Sequence, residues 1–270
     1  MAEPATDGSG RLAVGVARSS LIRPEWMVTD KIVEVNAEAV LAAAADARVE
    51  TAEVEYVVGK AYYPSVRDFE EARAGGHDIP VLDEGTRFKK ASGGAGLGVA
   101  VATEGMSMPK PQDIGSNFDL WSAKVAVSAD EWEPVGGTGP QTQLIAFGNS
   151  AAAGGRLRVG HSAMNDLLDA DALTRALRRA GLQVGPGPLS PEHRKRVVAV
   201  YVKFSMPPDN LLRGRRQVVE NPQYGNQVKA ALGGMFSGVL QDNLVWISAS
   251  ATHQGPLGGG TVAAIVDVGA

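Results

Sequence analysis

The chain has 270 residues, 44% of them hydrophobic and 21% charged, enough apolar content for the core of one large domain or two ordinary ones. Its net charge of -4 withholds the broad attraction that a nucleic-acid binder carries, so nucleic acid is not an expected partner. Cysteine is absent, which excludes disulfides, thiolate catalysis and sulfur-ligated metals.

The opening residues 1–10, "MAEPATDGSG", lack a basic region followed by an apolar core and read as a disordered tail. No later apolar run approaches the ~18 residues of a membrane span, so a soluble cytoplasmic protein that meets no membrane is expected. "RLAVGV" at 11–16 suits a buried strand. "VNAEAVLAAAADARV" at 35–49 carries alanine and leucine at helical spacing, with Asn36 as the acceptor for backbone donors at the helix start. "EVEYVVGKAYYP" is a strand ending in Lys60, with Pro64 four residues on. After the insertion "PSVRDFEEARAGGHDIPVLDEGTRF", the segment "KASGGAGLGVAVA" begins at Lys90. Its "GGAGLG" resembles a dinucleotide loop, but "RFKKAS" precedes it where a strand should stand, so glycine-mediated helix packing is the better reading. "VAVSAD" around Ser128 is a further strand, and the turn-rich "EWEPVGGTGPQ" at 131–141 closes the first half.

The second half repeats this order. "QLIAFG" at 143–148 is matched to "RLAVGV", and "LDADALTRALRRAGL" at 168–182 aligns without a gap to 35–49, with Asp169 in the place of Asn36. "VVAVYVKFSMP" ends in Lys203 with Pro207 at the same interval as before. "KAALGGMFSGVLQ" from Lys229 follows the pattern of the Lys90 segment, and "VWISAS" around Ser248 echoes "VAVSAD". The expected fold class is therefore α+β: two divergent repeat units, 11–135 and 141–270, each a largely antiparallel sheet covered by helices.

The polar residues kept in both copies are a lysine at a strand end, a lysine opening a glycine-containing helix, and a serine at a strand end. Each alone is most simply a solvated charge or a local backbone partner. Together they form a chemical set. A serine hydroxyl attacks at neutral pH when a base removes its proton, and a lysine serves as that base when burial or a neighbouring cation depresses its pKa. The remaining cations, with backbone N–H groups of glycine-rich turns, would stabilise an oxyanion and hold carbonyl oxygens. The four histidines, His77, His161, His193 and His253, show no metal-ligand spacing. Arg213, Arg215 and Arg216 form either an anion clamp or a solvated loop, and Trp121 and Trp246 read as core residues.

At "ATHQGPLGGGTVAAIV" the sequence resembles the ring-opening amidohydrolases, the family of cyanuric acid hydrolase and barbiturase. The likeness extends through "LIAFGNS", "VGHSAMNDLLDADALTRALRRAGL", "PDNLLRG" and "LGVAVATE". It implies a cofactor-independent hydrolase that opens a cyclic amide by serine attack, in a fold of three similar domains about a pseudo-threefold axis. Lys60 and Ser128 match the middle domain's pair, implied to be base and nucleophile, and Lys203 and Ser248 match the last domain's pair. Lys90 and Lys229 stand where the family has arginine, and lose its planar bidentate fork. With Lys203, Ser248, Gly94 and Ser250 they make up the implied substrate-binding set.

The resemblance also implies that the chain starts at the family's second unit. One wall of the pocket would then come from a separate one-domain subunit or from self-association as a homo-oligomer. The family's structural divalent cation near the C-terminus would be weak or lost, since Ser205 stands in place of a carboxylate and leaves Gln254 with backbone carbonyls. Two other readings stay open: a catalytically silent scaffold or ligand-binding subunit of the same fold, and an amide hydrolase or acyl transferase of a specialised biosynthetic pathway.

Overall fold

The computed structural model describes residues 10–130, 139–209, 211–216 and 225–269. Residues 1–9 of the expected tail and 131–138 of the expected linker lie outside the described residues. In chain order the elements are β1 (Arg11–Arg18), α1 (Lys31–Ala47), β2 (Val54–Tyr62), α2 (Val66–Ala74), α3 (Glu84–Thr103), β3 (Val125–Asp130), β4 (Gln143–Ser150), β5 (Leu157–Met164), α4 (Asp171–Arg179), α5 (Pro191–Arg194), β6 (Val197–Phe204), β7 (Leu211–Leu212), β8 (Arg215–Arg216), α6 (Gly225–Leu240), β9 (Val245–Ser248) and β10 (Gly260–Asp267). No helix among the described residues is long and apolar enough to cross a membrane.

The larger strands form two four-stranded sheets of the same design, β1-β4-β2-β3 and β5-β10-β6-β9. In each, the first three strands are antiparallel neighbours and the last pair, β2 with β3 or β6 with β9, is parallel. The fold is thus α+β with two antiparallel-rich sheets. Registers agree as well: Gly15 lies opposite Ala146 as Gly160 lies opposite Ala264, and Lys60 opposite Gln143 as Lys203 lies opposite Thr261.

This pairing corrects two expectations. "QLIAFG" is not the counterpart of "RLAVGV"; it is β4, hydrogen-bonded between β1 and β2 as the last strand of the first sheet. The counterpart of β1 is β5, and β4 answers to β10. The chain therefore passes from one sheet to the other between Ser150 and Leu157, later than the expected break at 135–141. Two antiparallel neighbours in one sheet carry the same alternation of apolar residues, and that pattern holds no information about strand direction.

Helices cover one face of each sheet: α1 lies on β1 and β4, α3 on β2 and β3, α4 on β5 and β10, and α6 on β9. The approach of α1 and α4 depends on one glycine per sheet. A methyl at Gly15 would meet the backbone of Ala43 and Ala47, and a methyl at Gly160 that of Ala176 and Ala180. Helix α1 starts at Lys31, so Asn36 does not cap it; Asn36 lies inside, its Nδ2 donating to the Ile32 carbonyl at 2.6 Å. The apolar face simply continues upstream through Ile32 and Val33, both buried. Asp169 does precede α4, where its carboxylate accepts from the Asn165 N–H at 2.9 Å.

Helix α3 carries the expected glycine packing on two sides. Methyls at Gly94 and Gly98 would run into Ile32 and Asn36 of α1, while methyls at Gly93 and Gly96 would run into Thr252, His253 and Gln254. Each glycine costs a helix interior roughly 0.5–1 kcal/mol, which close packing on both sides offsets.

The uncovered sheet faces meet each other. Tyr56, Ala126 and Phe147 of the first sheet pack on Val159, Ala263 and Ile265 of the second. The Tyr56 hydroxyl and Thr261 Oγ1 are 2.8 Å apart, and Thr261 Oγ1 donates to the Val125 carbonyl. At one side of this seam Glu55 receives His161 Nδ1 and Arg179 Nε, each at 2.9 Å. Burial alone would raise the Glu55 carboxyl; the hydrogen bonds from His161 and Arg179 prevail and bring it down to about 2. The two sheets are thereby joined by a buried, hydrogen-bonded seam.

Candidate active site

Parallel pairing puts the repeated lysines and serines side by side. Lys60 on β2 stands in register with Ser128 on β3, and Lys203 on β6 with Ser248 on β9. Residues in register on neighbouring strands point to the same face, and here that is the inner face where the two sheets meet. The two pairs are close enough for the Lys60 charge to act on Lys203.

The second pair is assembled. Lys203 Nζ lies 3.0 Å from Ser248 Oγ and 2.7 Å from the Ala249 carbonyl. Lys203 is wholly buried, with 0% exposure, and Ser248 is nearly so. Burial first, then the charges of Lys60 and Lys229, bring the Lys203 amine down from 10.5 to about 7. An amine so lowered can shed its proton near neutral pH, and the hydroxyl of Ser248 can then donate to its lone pair. This is the arrangement that activated serine chemistry requires.

The first pair is arranged differently. Lys60 is half exposed, at 48%, and its Nζ lies 2.8 Å from Asp130 Oδ2. Asp130 is not among the residues that the sequence singles out, although its position two residues past Ser128 on a strand puts it on the same face. Lys60 also lines a cleft of about 570 Å³ with Val16, Arg18, Gln143 and Ile145.

The remaining expected residues separate. Lys229 sends its charge to Lys203 and belongs with the assembled pair. Lys90 is half-buried, its amine lowered by that burial, and Nζ donates to the Pro111 carbonyl at 2.9 Å. Gly94 faces Ile32 on α1, so it serves helix packing and not the inner face. Ser250 is exposed and lines a second cavity of about 600 Å³ with Phe88, Phe118, Ser205 and Thr252. Trp246, expected in the core, is 44% exposed at the edge strand, with its ring 6.1 Å from that of Tyr201.

The "HQGP" segment ties the two sheets together. Gln254 acts as a neighbour strand for the edge of β3: its Oε1 accepts from the Val127 N–H at 2.7 Å and its Nε2 donates to the Val127 carbonyl at 2.9 Å. His253 Nε2 accepts from the Gly115 N–H at 2.7 Å, and Nδ1 faces the Leu120 carbonyl at 2.6 Å, which makes it a neutral clasp on the 110–121 loop. Ser205 Oγ accepts from the Gly258 N–H at 2.9 Å. Gln254 and Ser205 are both engaged by backbone N–H groups. Among the described residues no three histidine or carboxylate side chains gather as a metal site. Arg213 binds Asp166 through Nε at 2.7 Å and so is an ion-paired loop residue, not an open anion clamp.

A continuous apolar strip runs out from this centre across both inner faces. The Phe147 ring stacks on Tyr201 at 5.8 Å, and Tyr201 leads to Trp246; beside Phe147, Val14, Val16 and Ile145 are exposed. Helix α6 shows a second open surface. Among the described residues no heavy atom lies within 4 Å of where a side chain would begin at Gly234 or Gly238, whereas Gly93 and Gly96 of α3 receive the 252–254 segment of the other unit.

A family model described as "Amidohydrolase ring-opening protein" matches residues 1–267. Barbiturase 1 of a Nocardioides species is 34% identical over 263 residues, covering 96% of this chain and 69% of that protein. A cyanuric acid amidohydrolase of Bradyrhizobium diazoefficiens is 33% identical over 267 residues, covering 97% and 70%. Among solved structures, a cyanuric acid hydrolase matches with a TM-score of 0.82 at 26% identity, over 96% of this chain and 69% of that one. The cyanuric acid hydrolase from A. caulinodans matches with a TM-score of 0.81 at 24% identity, over 96% and 72%, a likeness of fold.

Proposed function

The chain belongs to the ring-opening amidohydrolase family, and on that footing we propose that it is a hydrolase that opens a cyclic amide, imide or ureide at one ring C–N bond. The observation that carries the mechanism is the contact of a buried, near-neutral Lys203 amine with Ser248 Oγ. Lys203 takes the hydroxyl proton as Ser248 Oγ bonds to a ring carbonyl carbon. Lys60 and Lys229 lend positive charge to the oxygen that becomes an oxyanion. As the C–N bond breaks, Lys203 returns the proton to the leaving ring nitrogen and the opened product stays on Ser248 as an ester. Water then adds, Lys203 takes its proton, and cleavage of the ester C–O bond restores the Ser248 hydroxyl. The sequence assigns these roles to Lys60 and Ser128; the ion pair of Lys60 with Asp130 engages that amine, so the geometry favours the second pair.

The partner part of the proposal rests on the two open surfaces. A third unit of the same strand-and-helix build, carried on a separate chain, would cover the apolar strip at Val14, Val16, Ile145 and Trp246. It would also lie against the exposed α6 face at Gly234 and Gly238. The match covers about seven-tenths of each relative's length, and the remaining three-tenths is on the scale of one unit.

Ring opening measured by mass spectrometry over a panel of cyclic ureides, imides and lactams tests the reaction. Ser248→Ala and Lys203→Met should each lower kcat at least about a thousandfold, the order seen when a member of a nucleophile–base unit is removed. Turnover retained in both variants would reject the assignment.

A further inference from the structure

One face of the second sheet is covered, and the matching face of the first is bare. Gly15 and Gly160 hold equivalent registers, so Val14, Val16 and Ile145 on β1 and β4 answer to Val159, His161 and Ala263 on β5 and β10. Strand β2 of the first unit lies over the second set, and Tyr56 and Ala126 share a buried cluster with Val159 and Ala263. Val159 and His161 are 0% and 6% exposed, whereas Val14 and Val16 are 48% and 60% exposed. The edge that does the covering is repeated too. Lys60 and Ser128 answer to Lys203 and Ser248, so Glu55 and Ala126 answer to Val198 and Trp246, both exposed.

The charges at the two places are opposite. In the closed seam Glu55 of the covering strand receives His161 Nδ1 from β5 and Arg179 Nε from α4, each at 2.9 Å. At the bare face Val16 stands in place of His161. Asp46 of α1 stands in place of Arg179, as the match of 35–49 with 168–182 and the helix contacts of Gly15 and Gly160 both require. Asp46 is exposed at the open edge of β1, where its Oδ2 accepts from the Val16 N–H at 2.8 Å, and among the described residues no cation pairs with it. A covering strand with an acid at the place of Glu55 would set two carboxylates against each other there. The free covering edge of this chain's second unit, with Val198 at that place, would bury the Asp46 charge without a partner.

We propose that the bare face takes a separate one-unit chain and not a second copy, and that this partner carries a lysine or arginine at the place of Glu55, where its cation meets the Asp46 carboxylate. This rests on the third-unit reading made above, and adds to it the charge that distinguishes the partner from a copy. The apolar part of the contact is supplied by Val14, Val16 and Ile145, and Arg18, the other charge at this face, lines the cleft with Lys60. The partner's own receiving face must differ as well. It meets Val198 where the closed seam has an ion-paired Glu55, and an indole at Trp246 where the first unit presents the methyl of Ala126. An apolar residue in place of His161 and a hollow wide enough for the indole follow from that edge.

The test places a photo-reactive benzophenone amino acid at Val16 of the full chain, and in a second version at Val14, irradiates the cells that make it, and identifies the joined chain by mass spectrometry. A chain of on the order of 100 residues is expected, with a lysine or arginine at the place of Glu55. That chain is then expressed separately and its binding to the full chain is measured by calorimetry. Asp46→Asn, which keeps an acceptor for the Val16 N–H, should weaken binding at least about tenfold, and Asp46→Lys should weaken it further. A glutamate in place of the partner's cation should recover binding to Asp46→Lys. Binding that is lost in Ile145→Glu but indifferent to both Asp46 variants overturns the charge pairing and leaves the one-unit partner standing. A joined one-unit chain with an acid at that place does the same. Joining to a second copy of this chain overturns the inference, and joining to nothing from either position overturns the third-unit reading beneath it.

Discussion

Lys203 and Lys60 occupy equivalent places on equivalent strands, and their surroundings make them chemically different. Total burial and two neighbouring cations act on the first; solvent and a carboxylate act on the second. The depressed amine has a consequence for stability whose sign is fixed. Between about pH 7, the folded value, and 10.5, the unfolded one, the unfolded chain binds a proton at Lys203 that the folded chain does not. Stability must then rise with pH across that window, by up to about 1.4 kcal/mol per unit, and the contribution is lost as the pH falls toward 7. Urea unfolding of wild type and Lys203→Met should show this slope as a difference between them, because other groups cancel. A difference that is flat from neutral to alkaline pH would mean that Lys203 is an ordinary solvated lysine.

At the scale of elements, the sequence is most informative where helices carry the pattern. The gapless match of 35–49 with 168–182 corresponds to α1 and α4, which meet their sheets at Gly15 and Gly160 through equivalent alanines. The lysine and serine positions are also legible, because strand register fixes which residues share a face, and Lys60–Ser128 and Lys203–Ser248 fall in register as matched. Short strands are not. β1 and β4 have similar apolar alternation because they are antiparallel neighbours on one sheet, so the likeness between them imitates repetition. The asymmetry between the pairs is out of reach for another reason. It depends on burial of Lys203 under the opposing sheet and on the turn at Ser250, neither of which spacing encodes. Direction is likewise not encoded by residue type: Gly94 faces α1, and the Gln254 amide faces the edge of β3.

For the whole molecule, two sheets share a buried apolar seam at Tyr56, Phe147 and Ile265, and the seam continues into side chains that solvent reaches. Apolar patches of this kind, rimmed by charges such as Arg18 and Lys60, mark association sites. The α3 contact with the 252–254 segment shows how one unit clasps the next. Analytical ultracentrifugation of the purified chain with and without a separately expressed one-unit partner should show a complex only in the mixture, and Ile145→Glu or Trp246→Glu should abolish it. Self-association of the chain alone, lost in the same variants, would instead assign the surface to a second copy.

The central claim is that Ser248, activated by Lys203, attacks the ring carbonyl. Its most direct test is peptide mapping by mass spectrometry after acid quench of the protein during turnover of a cyclic amide that it opens. A substrate-derived mass is expected on the peptide containing Ser248, absent in Ser248→Ala and undiminished in Ser128→Ala. The added mass on the Ser128 peptide, with Ser248→Ala still turning over, would contradict it.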